Sequence, residues 1–265
     1  KEVEDTGGAV YTVESGWNLS RSVSPMLTTQ WHQGAPFKLR FPISTSWTIW
    51  APPGCVTIAV AQIMNYHQFP RNYCDWSLVN QYNPKKLLEE NDQDVLDEVA
   101  LLSKKVAGGC RVECNFFGSG ETFSTPAKAK RFLRDMGYTG IEKHLGYDAD
   151  VIKTTLNKGC PVFIGALASS NHGHAWVIDG YLNYENIIKT YNGPATLLET
   201  KTVNKLFVHC NWGWQSTRKN GYYASKVFDT RNGPADLSGY PVATRGIDTK
   251  NYTWWFRIVT YNKPR

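Results

Sequence analysis

Cys55 stands where a Pro52-Pro53-Gly54 turn runs into an apolar stretch, so it is placed to open a helix. A helix start carries unpaired N–H groups and partial positive charge. Both favour a thiolate over a thiol, which lowers the pKa and raises nucleophilicity at neutral pH. Gly54 lets a substrate backbone come close, and the Cys55 N–H can face a developing oxyanion. The chemistry on offer is acyl transfer through a covalent acyl-enzyme. On position alone, a structural Cys buried in an apolar helix is the competing reading.

A thiolate nucleophile needs a base and a group that orients the base. Of the histidines at 32, 67, 144, 172, 174 and 209, His174 is the best placed. It opens the strand-like run His174-Ala175-Trp176-Val177-Ile178, which would hold its ring at a sheet end. His172 falls in the preceding turn, His67 reads as a packed or capping side chain at a helix end, and His209 reads as an alternating strand residue. The orienter is expected at Asn211, in Asn211-Trp212-Gly213-Trp214. Its amide oxygen can accept the imidazole Nδ1–H and fix the tautomer. An adjacent indole, Trp212, can shield that bond from water. Plain core packing is the alternative for both Trp212 and Trp214.

The other cysteines, Cys74, Cys110, Cys114, Cys160 and Cys210, fit no common zinc spacing. No metal and no cofactor is expected. With Cys55 free, few or no disulfides are expected, one of Cys110 with another residue being the candidate.

The elements that must position these groups are legible. Cys55 to His67 is nearly continuous in helical burial, with Pro70 just beyond, and should be a central helix. Further helices are predicted over 92–106, 125–136 (opened by Thr125-Pro126, closed by Gly137) and 148–157. After residue 160 short apolar runs at 161–166, 175–178, 206–208 and 254–259 read as strands. Residues 183–205 read as an extended hairpin or loop insertion. Residues 1–25, polar and Gly/Ser-rich, read as a linker or surface arm, and 26–38 as an ordered loop. Helices first and strands second argue an α+β class with two lobes.

Composition narrows the function classes. Hydrophobic residues make up 42%, charged residues 20% and aromatics 13%, which favours a folded enzyme with a well-filled core over a disordered or fibrous chain. The net charge of +6 is scattered, and its densest run, Lys128, Lys130, Arg131 and Arg134, has the spacing of one solvated helix face. No nucleic-acid partner is expected from it. No stretch reaches the length of about 18 apolar residues that a membrane span needs.

With these pieces assembled, the chain resembles the streptopain family of bacterial papain-like cysteine peptidases. The resemblance runs through Trp31-His32-Gln33-Gly34-Ala35-Pro36-Phe37, Gly54-Cys55-Val56 on to Ala61-Gln62-Ile63-Met64-Asn65-Tyr66-His67, Gly118-Ser119-Gly120, Gly173-His174-Ala175 to Gly180, and Asn211-Trp212-Gly213-Trp214. It covers roughly residues 25–260 in collinear order. It implies a papain-like fold, a helical lobe and an antiparallel β lobe with the cleft between them, over residues 26–265. Residues 1–25 would be an arm or the remnant of a pro-segment. It implies Cys55 and His174 as the catalytic pair with Asn211 and Trp212 beside the His. Gly118, Ser119, Gly120, Glu121, Thr122, Gly173 and Trp214 would contact substrate, with preference for an apolar side chain two residues before the cut bond. It also implies a zymogen, export to the medium or cell envelope, protein or peptide substrates, and a pro-segment or proteinaceous inhibitor as partner.

The chain departs from the family pattern where Gln215-Ser216 follow the Trp-Gly-Trp run in place of two glycines, and where Thr57 and Ile58 follow the nucleophile in place of smaller residues. The segment 183–205 is longer, and Ile49 takes the place of a Gln that could donate to the oxyanion. Two rival functions share the same pieces: a thiol amidase acting on cell-wall peptides, and a non-catalytic binding protein on a protease scaffold.

Overall fold

The computed structural model describes residues 9–41, 51–114, 122–170, 172–194, 196–214, 219–235 and 250–265. Helix α1 spans Cys55–His67, and all residues from Val56 to Asn65 are buried. That surrounds the helix with protein on every side, as its unbroken apolar run requires. Ile63 and Met64 are fully buried within it, so truncating Ile63 to Ala would cost about 2–5 kcal/mol. The remaining helices are α2 (Trp76–Val79), α3 (Gln93–Gly109), α4 (Pro126–Asp135) and α5 (Ala149–Asn157), with a 3-10 turn at Leu88–Glu90. Their starts follow capping chemistry. Asp92, Thr125 and Asp148 each accept a first-turn N–H through the side chain, and Pro126 opens α4. The basic run of α4 lies opposite its buried face of Pro126, Ala129, Phe132 and Leu133, and Lys128 pairs with Glu113.

The strands are β1 (Val10–Glu14), β2 (Asn18–Val23), β3 (Glu113–Cys114), β4 (Thr122–Phe123), β5 (Thr139–Leu145), β6 (Val162–Ser169), β7 (His172–Asn192), β8 (Thr196–Asn211), β9 (Gly221–Ala224), β10 (Phe228–Asp229), β11 (Asn251–Tyr252) and β12 (Trp254–Asn262). The main sheet runs β5-β12-β6-β7-β8-β9, with β1 and β2 on β7. All its pairings are antiparallel.

Both faces of the central part of the sheet are covered, and successive residues alternate between them. Phe163, Ala175, Val177, Val259 and Tyr261 pack with α1, α3 and α4. Val162, Ile164, Trp176, Ile178, Cys210 and Ile258 pack on the other face with α5 and an aromatic cluster. This double burial is why the short apolar runs carry no polar alternation.

The described residues of 183–205, expected as an extended hairpin or loop insertion, pair as a hairpin from Asn183↔Leu206 to Asn192↔Thr196. Of residues 1–25, expected as a linker or surface arm, the described part from residue 9 on is an exposed arm that carries two strands. Val10–Glu14 and Asn18–Val23 are strands on the outer edge of β7. Their polarity misled because both lie exposed, with Val10, Val13 and Leu19 at least half open to solvent, so backbone pairing holds them without a core pattern. The order of helices before strands also holds only broadly, since β1 and β2 come first and β5 precedes α5. Among the described residues Cys55, Cys74, Cys110, Cys160 and Cys210 are free thiols, so Cys110 does not form the candidate disulfide.

Candidate active site

Gly54 precedes α1 with φ +87°, a conformation that favours glycine, and makes no side-chain cap bond. A Cβ there would stand 2.9 Å from Thr122 Oγ1. The first-turn donors of α1 face the Cys55 side chain: the N–H groups of Cys55 and Val56 reach its sulfur, and the N–H of Ala175 reaches it from β7. These donors favour the thiolate. Burial acts against them and is the larger effect, so the Cys55 thiol lies above its ordinary pKa. The helix-start donors act in the expected direction, and burial outweighs them. A base must take the proton.

His174 is the neighbour of Ala175 on β7 and is 8% exposed. Its Nε2 lies 2.8 Å from the main-chain carbonyl of Trp212. A carbonyl only accepts, so Nε2 carries the proton and Nδ1 is the basic nitrogen. The expectation set Asn211 against Nδ1, while the bond seen here joins the other ring nitrogen to the adjacent main chain. Asn211 acts one step away. Its Oδ1 accepts the N–H of Gly213 at 3.2 Å, and its Nδ2 donates to the Thr29 carbonyl at 2.8 Å. The Gly213 N–H and the Trp212 carbonyl belong to one rigid peptide plane. Asn211 holds one end of that plane while His174 holds the other. Gly213 has φ +66°, and a Cβ on it would stand 2.9 Å from Ile58 Cγ2 of α1. Ile58, a departure from the family pattern, thus packs under the turn. Thr57 is fully buried and spends its hydroxyl on the Pro53 carbonyl.

The imidazole sits among aromatic rings. Trp214 lies 4.9 Å from it, Tyr252 5.9 Å, Trp212 6.0 Å and Trp176 6.3 Å. Trp212 is fully buried and stacks on Trp176 at 4.5 Å. Shielding and core packing are here one arrangement: the same stack that fills the core keeps water from the His174 bond. Trp214 is only partly buried, as a side chain available to substrate should be. Gly173 is exposed beside His174, and a Cβ on it would stand 2.8 Å from Leu167.

A family model described as the peptidase C10 family matches residues 31–223. The chain belongs to that family. It is a cysteine endopeptidase, a hydrolase, and the streptopain resemblance holds. Among solved structures, active wild-type interpain A cysteine protease from Prevotella intermedia aligns at a TM-score of 0.64 and 21% identity, covering 91% of this chain and 95% of that one. A fragment of prointerpain A from the same organism, with a Cys-to-Ala substitution, aligns at 0.60 and 22%, covering 93% and 74%. At that identity the likeness shows the fold, and it bears out the papain-like expectation. No curated protein matched.

Other members of the expected site are placed unevenly. Thr122, in β4, lies against Gly54, while Gly118, Ser119, Gly120, Glu121, Ile49, Gln215 and Ser216 fall outside the described residues. His172 is exposed and bonded to Ser169. His67 bonds Tyr261 and His209 pairs with Asp179, so neither is at the site. Sequence reasoning missed Trp176, although its spacing of two from His174 on a strand puts both on one face. It also missed Tyr252 and Thr29, which reach the site only through chain crossings that no local pattern announces.

Proposed function

We propose that this peptidase cuts protein chains with Cys55 as nucleophile, His174 as base and the Trp212 carbonyl as the group that orients the base. The bond from His174 Nε2 to that carbonyl carries the reading. With Nε2 as donor, Nδ1 takes the proton from the Cys55 thiol. The thiolate attacks the scissile carbonyl, and the carbon–nitrogen bond breaks as the imidazolium returns the proton to the leaving amine. Water, deprotonated by the same Nδ1, then hydrolyses the thioester. First-turn N–H groups of α1 supply main-chain donors for the oxyanion. Because burial raises the Cys55 thiol, the ion pair depends on the imidazole and on water exclusion by Trp212 and Trp214. Thr122, Gly173 and Trp214 are the described residues that would edge the cleft.

Cys55→Ala and His174→Ala, each assayed on casein and on purified cell wall, test this. Loss of casein cleavage in both variants supports it. Retained cleavage in either, or cleavage of cell wall alone, defeats it.

We further propose export and maturation from a precursor. The support is the family resemblance and the existence of a pro-form of a structural relative. Mass spectrometry of active protein beside Cys55→Ala would show N-terminal trimming only in the former. Identical termini count against self-processing.

A further inference from the structure

Asp179 is fully buried. It sits where β7 gains a residue on β8: Ile178 pairs with Cys210 and Gly180 with His209, so Asp179 is the extra residue of a bulge. A bulge re-aims its side chain. Here one carboxylate oxygen takes His209 Nδ1 at 2.6 Å and the other takes the Leu27 N–H at 2.9 Å. The Asp179 main-chain carbonyl takes the Met26 N–H at 3.0 Å. Gly180 permits the crossing, since a Cβ on it would stand 2.8 Å from the Val23 carbonyl and 3.0 Å from Pro25 N.

The clamped segment leads straight to the site. Two residues beyond Leu27, Thr29 receives Asn211 Nδ2 on its carbonyl and sends its hydroxyl to Gln62 of α1 at 2.7 Å. Asn211 in turn holds the peptide whose carbonyl meets His174. A buried carboxylate costs desolvation that only full pairing offsets. This one spends its pairing on the strand carrying Asn211 and on the crossing segment that anchors Asn211.

We propose that Asp179 is a positioning residue for catalysis: its carboxylate, with His209, fixes residues 26–29, and through Thr29 and Asn211 it sets the Trp212 carbonyl against His174. The proposal rests on the reading of His174 as base. If the carbonyl drifts, the Nε2–H bond weakens and the imidazolium loses stabilisation. The chemical step slows while substrate contacts stay as they are.

The test uses Asp179→Ala and Asp179→Asn in the full chain, with active sites counted by an irreversible thiol-directed inhibitor. Asp179→Ala is expected to lower kcat per counted site roughly tenfold or more, as a buried pairing lost to a catalytic bond would. KM should stay within about twofold, and the alkaline limb of the rate profile should move to lower pH. Asp179→Asn, which still accepts the Leu27 N–H and can donate to His209, should recover most of the loss. If Asp179→Ala does not fold, His209→Ala removes one side of the clamp and should show the same signature, smaller. Wild-type kcat per site, a rise in KM alone, or a fall in kcat with both limbs unmoved would each overturn the proposal. These outcomes leave the Cys55–His174 reading standing, whereas activity in His174→Ala would remove its basis.

Discussion

His174 and Trp212 meet through main chain: the imidazole Nε2 lies 2.8 Å from the Trp212 carbonyl, and the Trp212 indole stacks 6.0 Å from the same ring. One residue thus supplies both the acceptor that fixes the tautomer and the apolar cover that strengthens it. A carbonyl orienter carries no charge and cannot be deleted by changing its own side chain. Its position has to be set by neighbours, which is the work of Asn211.

Cys55 should react with iodoacetamide faster than the other described cysteines. Burial raises its thiol as well, but it is partly exposed and the N–H groups of Cys55, Val56 and Ala175 donate to its sulfur. Cys74 is also partly exposed, but burial first and then the Glu98 carboxylate push its thiol up to about 12. Burial likewise raises Cys110 to about 12. Peptide mapping of briefly alkylated protein should find the label at Cys55, and His174→Ala should slow that labelling by at least tenfold, since it removes the proton acceptor. Faster labelling at Cys74 would mean that the ion pair does not form.

His174→Ala should lower turnover by orders of magnitude, and His172→Ala by less than about threefold. His172 is exposed and occupied with Ser169, whereas His174 is buried among four aromatic rings. Burst kinetics on an activated ester substrate read the acylation step directly. Comparable losses in the two variants would contradict the placement of the base.

What the sequence disclosed, and what it hid, follows the range of the interactions. Helix α1 was readable to its bounds because its burial pattern, the Pro-Pro-Gly entry and Pro70 are all local. The residue types proposed for the site, Cys55, His174 and Asn211, were readable in the sequence, but the His174 bond to the Trp212 carbonyl was not. Asn211 has the right chemistry and the right place in the chain, yet a turn at Gly213 with φ +66° brings the carbonyl of Trp212 to the imidazole first. Likewise β1 and β2 carry no core pattern because they add to the outer edge of β7 with both faces open. Nothing in the sequence around Asp179-Gly180 announces a bulge, which only the pairing register reveals.

Asn211→Ala should lower turnover roughly tenfold, with some loss of stability, because it frees the Gly213 N–H and the Thr29 carbonyl together. Asn211→Asp tells the two bonds apart. A carboxylate still accepts from Gly213 but cannot donate to Thr29, so it faces that carbonyl oxygen with negative charge. If the peptide-plane bond alone mattered, Asn211→Asp would work as the native enzyme does. With both bonds needed, it should be at least as impaired as Ala in kcat and in thermal unfolding temperature. Native activity in Asn211→Ala would show that the Trp212 carbonyl is held without it.

The last prediction concerns stability at acid pH, through His67 at the end of α1. Burial, and then the nearby Lys263 charge, lower its pKa from 6.5 to about 4. Its Nε2 meets the Tyr261 hydroxyl at 3.2 Å, with the ring edge-on to Tyr138 and Tyr261. Folding therefore favours neutral imidazole. Below pH 6.5 the unfolded chain binds a proton that the folded chain refuses until about pH 4. The stability tied to this residue is then complete above the unfolded value, drains as the pH falls through that window, and changes no further once both states are protonated. Denaturant unfolding of the Cys55→Ala protein, which on the proposed mechanism cannot digest itself, should be followed at several pH values between 7.5 and 4. Adding His67→Gln, which keeps a hydrogen-bonding group toward Tyr261 but does not titrate, should flatten the decline relative to the His67 parent, while carboxylates elsewhere affect both proteins alike. Parallel curves across the window would mean that His67 takes up its proton in the folded state as readily as in the unfolded one.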